Sequence, residues 1–309
     1  MGGSGGGAAV APPQNIMDIF VQQVVSGLAT GGIYASLALA LVMIYQATDV
    51  VNFAQGEMAM FSTYLCWSLL QAGLPYWVAF VATLVIAFVG GLLIERIVIR
   101  PVENAPILTI VIVTLGLVFI LNSVAGWVYS YIQKPFPSPF PSKPIKIGQI
   151  VLGAHDLGAI GVTLVVLLLL FLFFRYTTLG LAMRAAAQNP ASSRLCGIRV
   201  GWMLALGWGL AATFGGVAGM MIAPNVFLDP NMMTGIQIYA FAAATVGGFT
   251  SPFGAVVGGF IVGVTENLVG TYVSFIGTEL KLTVALAMII IVLLVKPSGL
   301  FGRSIVRRV

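Results

Sequence analysis

Along this chain, apolar runs of about 17–25 residues recur from Met17 to Val295, separated by short polar or proline-containing breaks. At 1.5 Å of rise per residue such a run crosses a hydrocarbon layer of about 30 Å as a helix. Lipid offers no partners to backbone N–H and C=O groups, so a spanning chain is either helical or a closed barrel. These runs are continuous and lack the period-two alternation of barrel strands. The pattern therefore predicts an all-α fold, a polytopic integral membrane helix bundle, with discontinuous segments. The predicted spans cover 17–45, 58–72, 76–95, 107–131, 159–174, 202–223, 238–250, 253–275 and 279–295 of a single domain, 17–303.

Two interruptions stand out. The stretch Thr48-Asp49-Val50-Val51-Asn52-Phe53-Ala54-Gln55-Gly56-Glu57 is too polar for lipid, yet it lies between a long apolar run and a short one. It reads either as a loop or as a re-entrant break, so about eight or nine crossings are expected. The second interruption, Thr250-Ser251-Pro252, falls in the other half of the chain. Paired breaks point to a translocation path, because irregular backbone at membrane depth survives only when buried in protein or lining an aqueous cavity. The competing reading makes both breaks short solvated turns. Ionisable groups inside spans are costly and mark function by default, and Glu266, followed by Asn267, is the clearest. The candidate path residues are Asn52, Gln55, Glu57, Thr250, Ser251, Glu266 and Asn267, with Asp49 beside the first group. An interhelical hydrogen bond is the alternative for Glu266.

Charge then orients the bundle. Charged residues make up 7% of the chain, so the net charge of +5 resides in connecting segments, where it bears on membrane orientation and not on nucleic acid. Segment 175–201 carries Arg175, Arg184, Arg194 and Arg199 without an acid, and the C-terminal stretch carries Lys296, Arg303, Arg307 and Arg308. Both are expected on the cytoplasmic side, including the basic tail 304–309. An even number of crossings between them requires the chain to break near Thr250. Segment 132–158 and the N-terminus then lie outside, and 95–103 lies inside. Residues 1–16 are small and flexible and read as a leader or linker. GxxxG spacings at Gly27/Gly31, Gly215/Gly219, Gly254/Gly258 and Gly259/Gly263 predict close helix packing. The run from Pro135 to Pro141 predicts a stiff, solvated polyproline segment.

Reaction chemistry is sparse. No Gly-Lys pair exists, so no GxxxxGK[ST] phosphate cradle can form. His155 is the one histidine and reads as a surface residue, which leaves no His-based metal site. Cys66 and Cys196 lack metal or redox spacing. The GxSxG match at Gly2–Gly6 falls in the leader, without the strand–turn–helix context that a nucleophile needs. No catalytic residue, metal or cofactor is expected, and the chain reads as a conduit. Segment Arg184–Ile198 predicts an alanine-rich helix that Pro190 ends, followed by a second short helix: a surface pair that reads as an orientation signal or anionic-lipid contact, or, with Leu195 and Ile198, as a docking element.

Four stretches together resemble the membrane permeases of ATP-binding-cassette importers for branched-chain amino acids, the shorter subunit of the high-affinity leucine/isoleucine/valine group. They are Val50–Glu57, Arg184–Ile198, Gly247-Gly248-Phe249-Thr250-Ser251-Pro252-Phe253-Gly254-Ala255, and Lys296-Pro297-Ser298-Gly299-Leu300-Phe301-Gly302. The resemblance implies two cytoplasmic ATPase subunits, a second and usually related permease subunit, and an external solute-binding protein, in a bacterial or archaeal cytoplasmic membrane. It also implies that the coupling segment, with Arg184, Gln188, Asn189, Arg194, Leu195 and Gly197, docks on an ATPase. Gln188 and Asn189 stand where many relatives carry an acid, and Gln55 where many carry histidine. The family's cargo also includes urea, short amides and other amino acids. A sugar importer and a stand-alone channel or secondary carrier are the remaining alternatives.

Overall fold

A computed structural model describes residues 16–48, 50–141, 143–147, 150–277 and 280–302. The leader up to residue 15, Asp49, and Arg303, Arg307 and Arg308 of the basic tail lie outside the described residues. Eleven α-helices carry the fold: α1 (Ile16–Thr48), α2 (Gln55–Gln71), α3 (Tyr76–Ile94), α4 (Ile107–Tyr129), α5 (Ala154–Tyr176), α6 (Thr178–Gln188), α7 (Pro190–Leu195), α8 (Val200–Val226), α9 (Met233–Gly247), α10 (Pro252–Tyr272) and α11 (Lys281–Val295). A π-turn and a 3₁₀ turn extend α3 to Val102. Among the described residues, six helices are long and apolar enough by length and composition to cross a membrane. The bundle is as the apolar pattern predicts, apart from a three-residue hairpin, β1 (Ile145–Ile147) with β2 (Ile150–Leu152). The sequence reading placed no strand there.

Two helices form the centre. The most apolar stretches of α1 and α8 are 89% and 83% buried, against 17% for α4 and α5. The buried pair is rich in small residues that let backbones approach, whereas α4 and α5 expose Leu, Ile, Val and Phe to lipid. Contacts α1–α10, α1–α8, α2–α8 and α3–α8 build the core. The predicted glycine spacings account for this closeness. A Cβ on Gly31 would lie 2.9 Å from Gly259 O, and one on Gly259 would lie 2.5 Å from Ala35 Cα, so α1 and α10 meet backbone to backbone.

The two ends of the bundle differ in charge. One gathers the guanidinium of Arg96 over Trp202 (5.0 Å), Arg100 beside Gly201, the α6–α7 segment, and the tail around Lys296. The opposite end gathers Trp67 under Lys134 (5.1 Å), the Lys134–Leu228 bridge, the hairpin and the start of α1. Read from end to end, α1, α3, α5, α9 and α11 run toward the basic end. Helices α2, α4, α8 and α10 run away from it. Among the described residues this makes nine passages, of which α2 is partial.

The proline-rich segment keeps Pro135, Pro137, Ser138 and Pro141 exposed, as expected, but Phe136 and the histidine depart from the solvated surface reading. His155 sits in the first turn of α5, half-buried. Its Nε2 meets Met221 O at 2.8 Å and its Nδ1 meets Ser138 Oγ at 2.9 Å. Phe136 is buried, and Phe140 packs on Gly158. The prolines thus form a strap fastened across the end of the bundle. Pro224 lies inside α8, where its missing N–H withdraws the helical donor from Met220 O, next to the Met221 carbonyl that His155 meets.

Candidate functional sites

The first break is neither exposed nor solvated. Gln46, near the end of α1, donates through Nε2 to Thr250 O (2.9 Å) at the basic end. From there the chain climbs back, and Gln55 Nε2 reaches Ala211 O (2.9 Å), midway along α8. Helix α2 therefore starts at half depth. Asn52 forms the turn that starts it, its Oδ1 accepting from Ala54 N (3.0 Å) and its Nδ2 donating to Gln55 Oε1 (3.2 Å). Both side chains are fully buried. This geometry removes the solvated-turn reading for this break and supports the re-entrant one.

A residue missed at the sequence level closes the structure. Gln237 of α9 accepts from Gly56 N through Oε1 (2.6 Å) and donates through Nε2 to Phe53 O (2.5 Å). It clamps two backbone groups that no helix would satisfy. Glu57 follows in the first turn of α2, buried, with Asn122 Nδ2 of α4 donating to its Oε2 (3.4 Å).

Thr250 and Ser251 lie elsewhere, at the basic end. Ser251 caps α10, its Oγ accepting from Gly254 N (3.0 Å), and Pro252 opens the helix. The tail folds back on this turn: Leu300 N donates to Val246 O (2.8 Å) and Phe301 N to Gly247 O (3.0 Å), which satisfies the last carbonyls of α9. The left-handed Gly248 (φ 102°) and Gly299 (φ 77°) touch here, where only glycine fits both the turn and the contact.

Glu266 and Asn267 form a third group. Tyr34 O–H donates to Glu266 Oε2 (2.9 Å), and the Tyr34 ring stacks on Tyr239 with centroids 4.8 Å apart. Asn267 Nδ2 donates to Thr30 Oγ1 (3.1 Å), and Lys281 Nζ reaches Asn267 Oδ1 (3.4 Å). The network ties α10 to α1 and α11, so the alternative of an interhelical hydrogen bond for Glu266 has direct geometric support. The predicted path residues thus occupy three places, not one.

The α6–α7 pair matches its expectation. Thr177 caps α6, accepting from Gly180 N (2.9 Å). Asn189 caps α7, accepting from Ser192 N (2.9 Å), with Pro190 at its first position. Gly197 turns with φ 80°. Arg184, Gln188, Asn189, Arg194, Leu195 and Gly197 are all exposed, and Leu195 is 90% exposed. Among the described residues, no group of three or more His, Cys, Asp or Glu could hold a metal.

Residues 23–293 match the family described as branched-chain amino acid transport system / permease component. The chain belongs to this permease family. Relatives include the high-affinity branched-chain amino acid transport system permease protein LivH of Escherichia coli, 32% identical over 94% of this chain and 98% of its own. The probable branched-chain amino acid transport permease protein LivH of Methanocaldococcus jannaschii is 33% identical over 86% and 87%. The BraD permease protein of Pseudomonas aeruginosa is 29% identical over 94% and 98%. The chain is thus a multi-pass membrane permease.

Proposed function

We propose that this permease is the membrane-spanning subunit of an ATP-driven importer that moves branched-chain or other hydrophobic amino acids across the cytoplasmic membrane. Family membership supplies the cargo class. The observation that carries the mechanism is the capped, basic and exposed α6–α7 pair, which presents Leu195 to solvent at the end where the arginines gather. The positive end faces the cytoplasm, which puts the C-terminus inside and the N-terminus outside. Two ATPase subunits dock on α6–α7, a second permease subunit completes the path, and a solute-binding protein delivers cargo to the strap-covered end. The permease breaks no covalent bond. ATP-driven closure of the ATPases pushes α6–α7, and the spans rearrange as packed bodies between outward and inward access.

The test is purification from native membrane in mild detergent with identification of every co-purifying protein, followed by leucine uptake into proteoliposomes. ATP-dependent uptake by a complex that contains nucleotide-binding subunits is the expected result. Uptake by the permease alone would overturn the reading in favour of a carrier.

A further inference from the structure

Helix α3 does not end as an α-helix. Residues Glu95–Ile99 form the π-turn and Arg100–Val102 the 3₁₀ turn that follows it. In an α-helix, side chains five positions apart point about 140° away from each other round the axis. The π-turn, closed by Arg100 N donating to Glu95 O, brings the two to one face, and Arg100 Nε donates to Glu95 Oε1 (3.3 Å). This is the one ion pair among the described residues, and its Glu95 side chain is 2% exposed. Glu95 thereby fixes where the Arg100 guanidinium points.

It points at the start of α8. Arg100 Nη2 lies against Gly201, where a Cβ would also come within 3.0 Å of Arg100 Cζ, and Arg96 Cζ sits 5.0 Å from the centre of the Trp202 ring. Farther along, a Cβ on Gly91 would lie 2.5 Å from Trp208 O and one on Gly209 would lie 2.9 Å from Phe88 O, so α3 and α8 meet backbone to backbone. The turn that α3 grips is also where the α6–α7 segment enters the bundle. Only Cys196–Arg199 separate α7 from α8, and most of that link is tied back into α7. Cys196 N donates to Ser192 O (3.1 Å), Gly197 N to Arg194 O (3.1 Å) and Ile198 N to Ser193 O (3.0 Å). On the other side Trp202 N donates to Arg199 O (3.0 Å), which leaves the connection little slack.

We propose that Glu95, Arg96 and Arg100 clasp α3 to the first turn of α8, so that a displacement of α7 moves α3 and α8 as one body. The three are positioning residues for transport, acting through α8. Their part in transport rests on the coupling role proposed above for α6–α7, whereas the clasp itself stands on geometry.

The test has two arms. In the first, the permease alone in lipid nanodiscs is followed by hydrogen–deuterium exchange. Arg100→Gln is expected to speed exchange roughly threefold or more in both 96–103 and 200–206, with α5 unchanged. Acceleration confined to 96–103 is the loss of a helix end only and overturns the proposal. In the second arm, the native complex in proteoliposomes is scored by leucine taken up per ATP hydrolysed. Arg100→Gln and Trp202→Leu are expected to lower this ratio roughly threefold or more at full recovery of the ATPase subunits, whereas Trp202→Phe, which keeps a ring under Arg96, holds it within about twofold. An unchanged ratio in the first two variants, or a loss in Trp202→Phe as deep as in Trp202→Leu, overturns the proposal. Failure of the unmodified complex to take up leucine with ATP strikes the importer reading instead and leaves the first arm to decide the clasp.

Discussion

Consider a single methyl group added where α1 meets α10. In Gly259→Ala the new Cβ would lie 2.5 Å from Ala35 N and Cα and 2.6 Å from Ala35 Cβ. Carbon atoms rest at about 3.5–4.0 Å, so the two helices must separate by about 1 Å. The obstructing atoms are backbone, with no flexible side chain to swing away. Overpacking of this kind costs about 1–3 kcal/mol, and the upper end is expected here because Tyr34–Glu266 and Thr30–Asn267 bridge the same interface. A loss near 3 kcal/mol corresponds to a fall in Tm of roughly 6–12 °C, read by intrinsic fluorescence in detergent. Gly116→Ala is the control. Nothing lies within 4 Å of its Cβ position, so it is expected to be neutral or to stabilise by up to about 1 kcal/mol. Equal Tm values for Gly259→Ala and the unmodified chain would refute the claim that glycine sets this interface.

Three further perturbations address other parts of the molecule. Tyr34→Phe keeps the ring on Tyr239 but removes the donor to Glu266, and a loss of about 1–2 kcal/mol is expected. A double-mutant cycle with Glu266→Ala checks it, since purely additive effects would rule out the bond. Gln237→Ala leaves Gly56 N and Phe53 O unpaired in a buried setting, so the amides of 52–58 should exchange with deuterium at least tenfold faster, while those of α8 stay protected. Combined Arg184→Glu and Arg194→Glu should reduce ATPase co-purification at unchanged membrane insertion, and full recovery of the complex would remove α6–α7 from the docking role.

Features written locally were legible in the sequence. Apolar runs gave the helices, Pro190 marked the end of one helix before a second short one, and Thr250-Ser251-Pro252 marked a break, as the structure has them, because proline acts on neighbours within a few residues. The glycine spacings foretold close contact without naming the partners. What escaped were residues whose meaning depends on a distant segment. Gln237 is unremarkable in α9 until it meets Gly56, 181 positions earlier. Tyr34 and Asn122 likewise acquire their roles only from Glu266 and Glu57. The anchoring of the strap was missed for the same reason, since the packing of Phe136 and His155 against the end of the bundle leaves no periodic trace. The depth of Asn52 could be posed as an alternative but decided only by Ala211.

The marriage of α1 and α10 also sets a schedule for synthesis. Thr30 and Asn267 are 237 positions apart, so the first helix to leave the ribosome waits for nearly the last before its small-residue stripe is covered. At about 5–20 residues per second that wait is roughly 10–50 s. Throughout it, α1 must rest in lipid or against the insertion machinery with the Tyr34 hydroxyl still without Glu266. A chain cut short before α10 keeps the packing of α1 on α8 but leaves the glycine face of α1 uncovered.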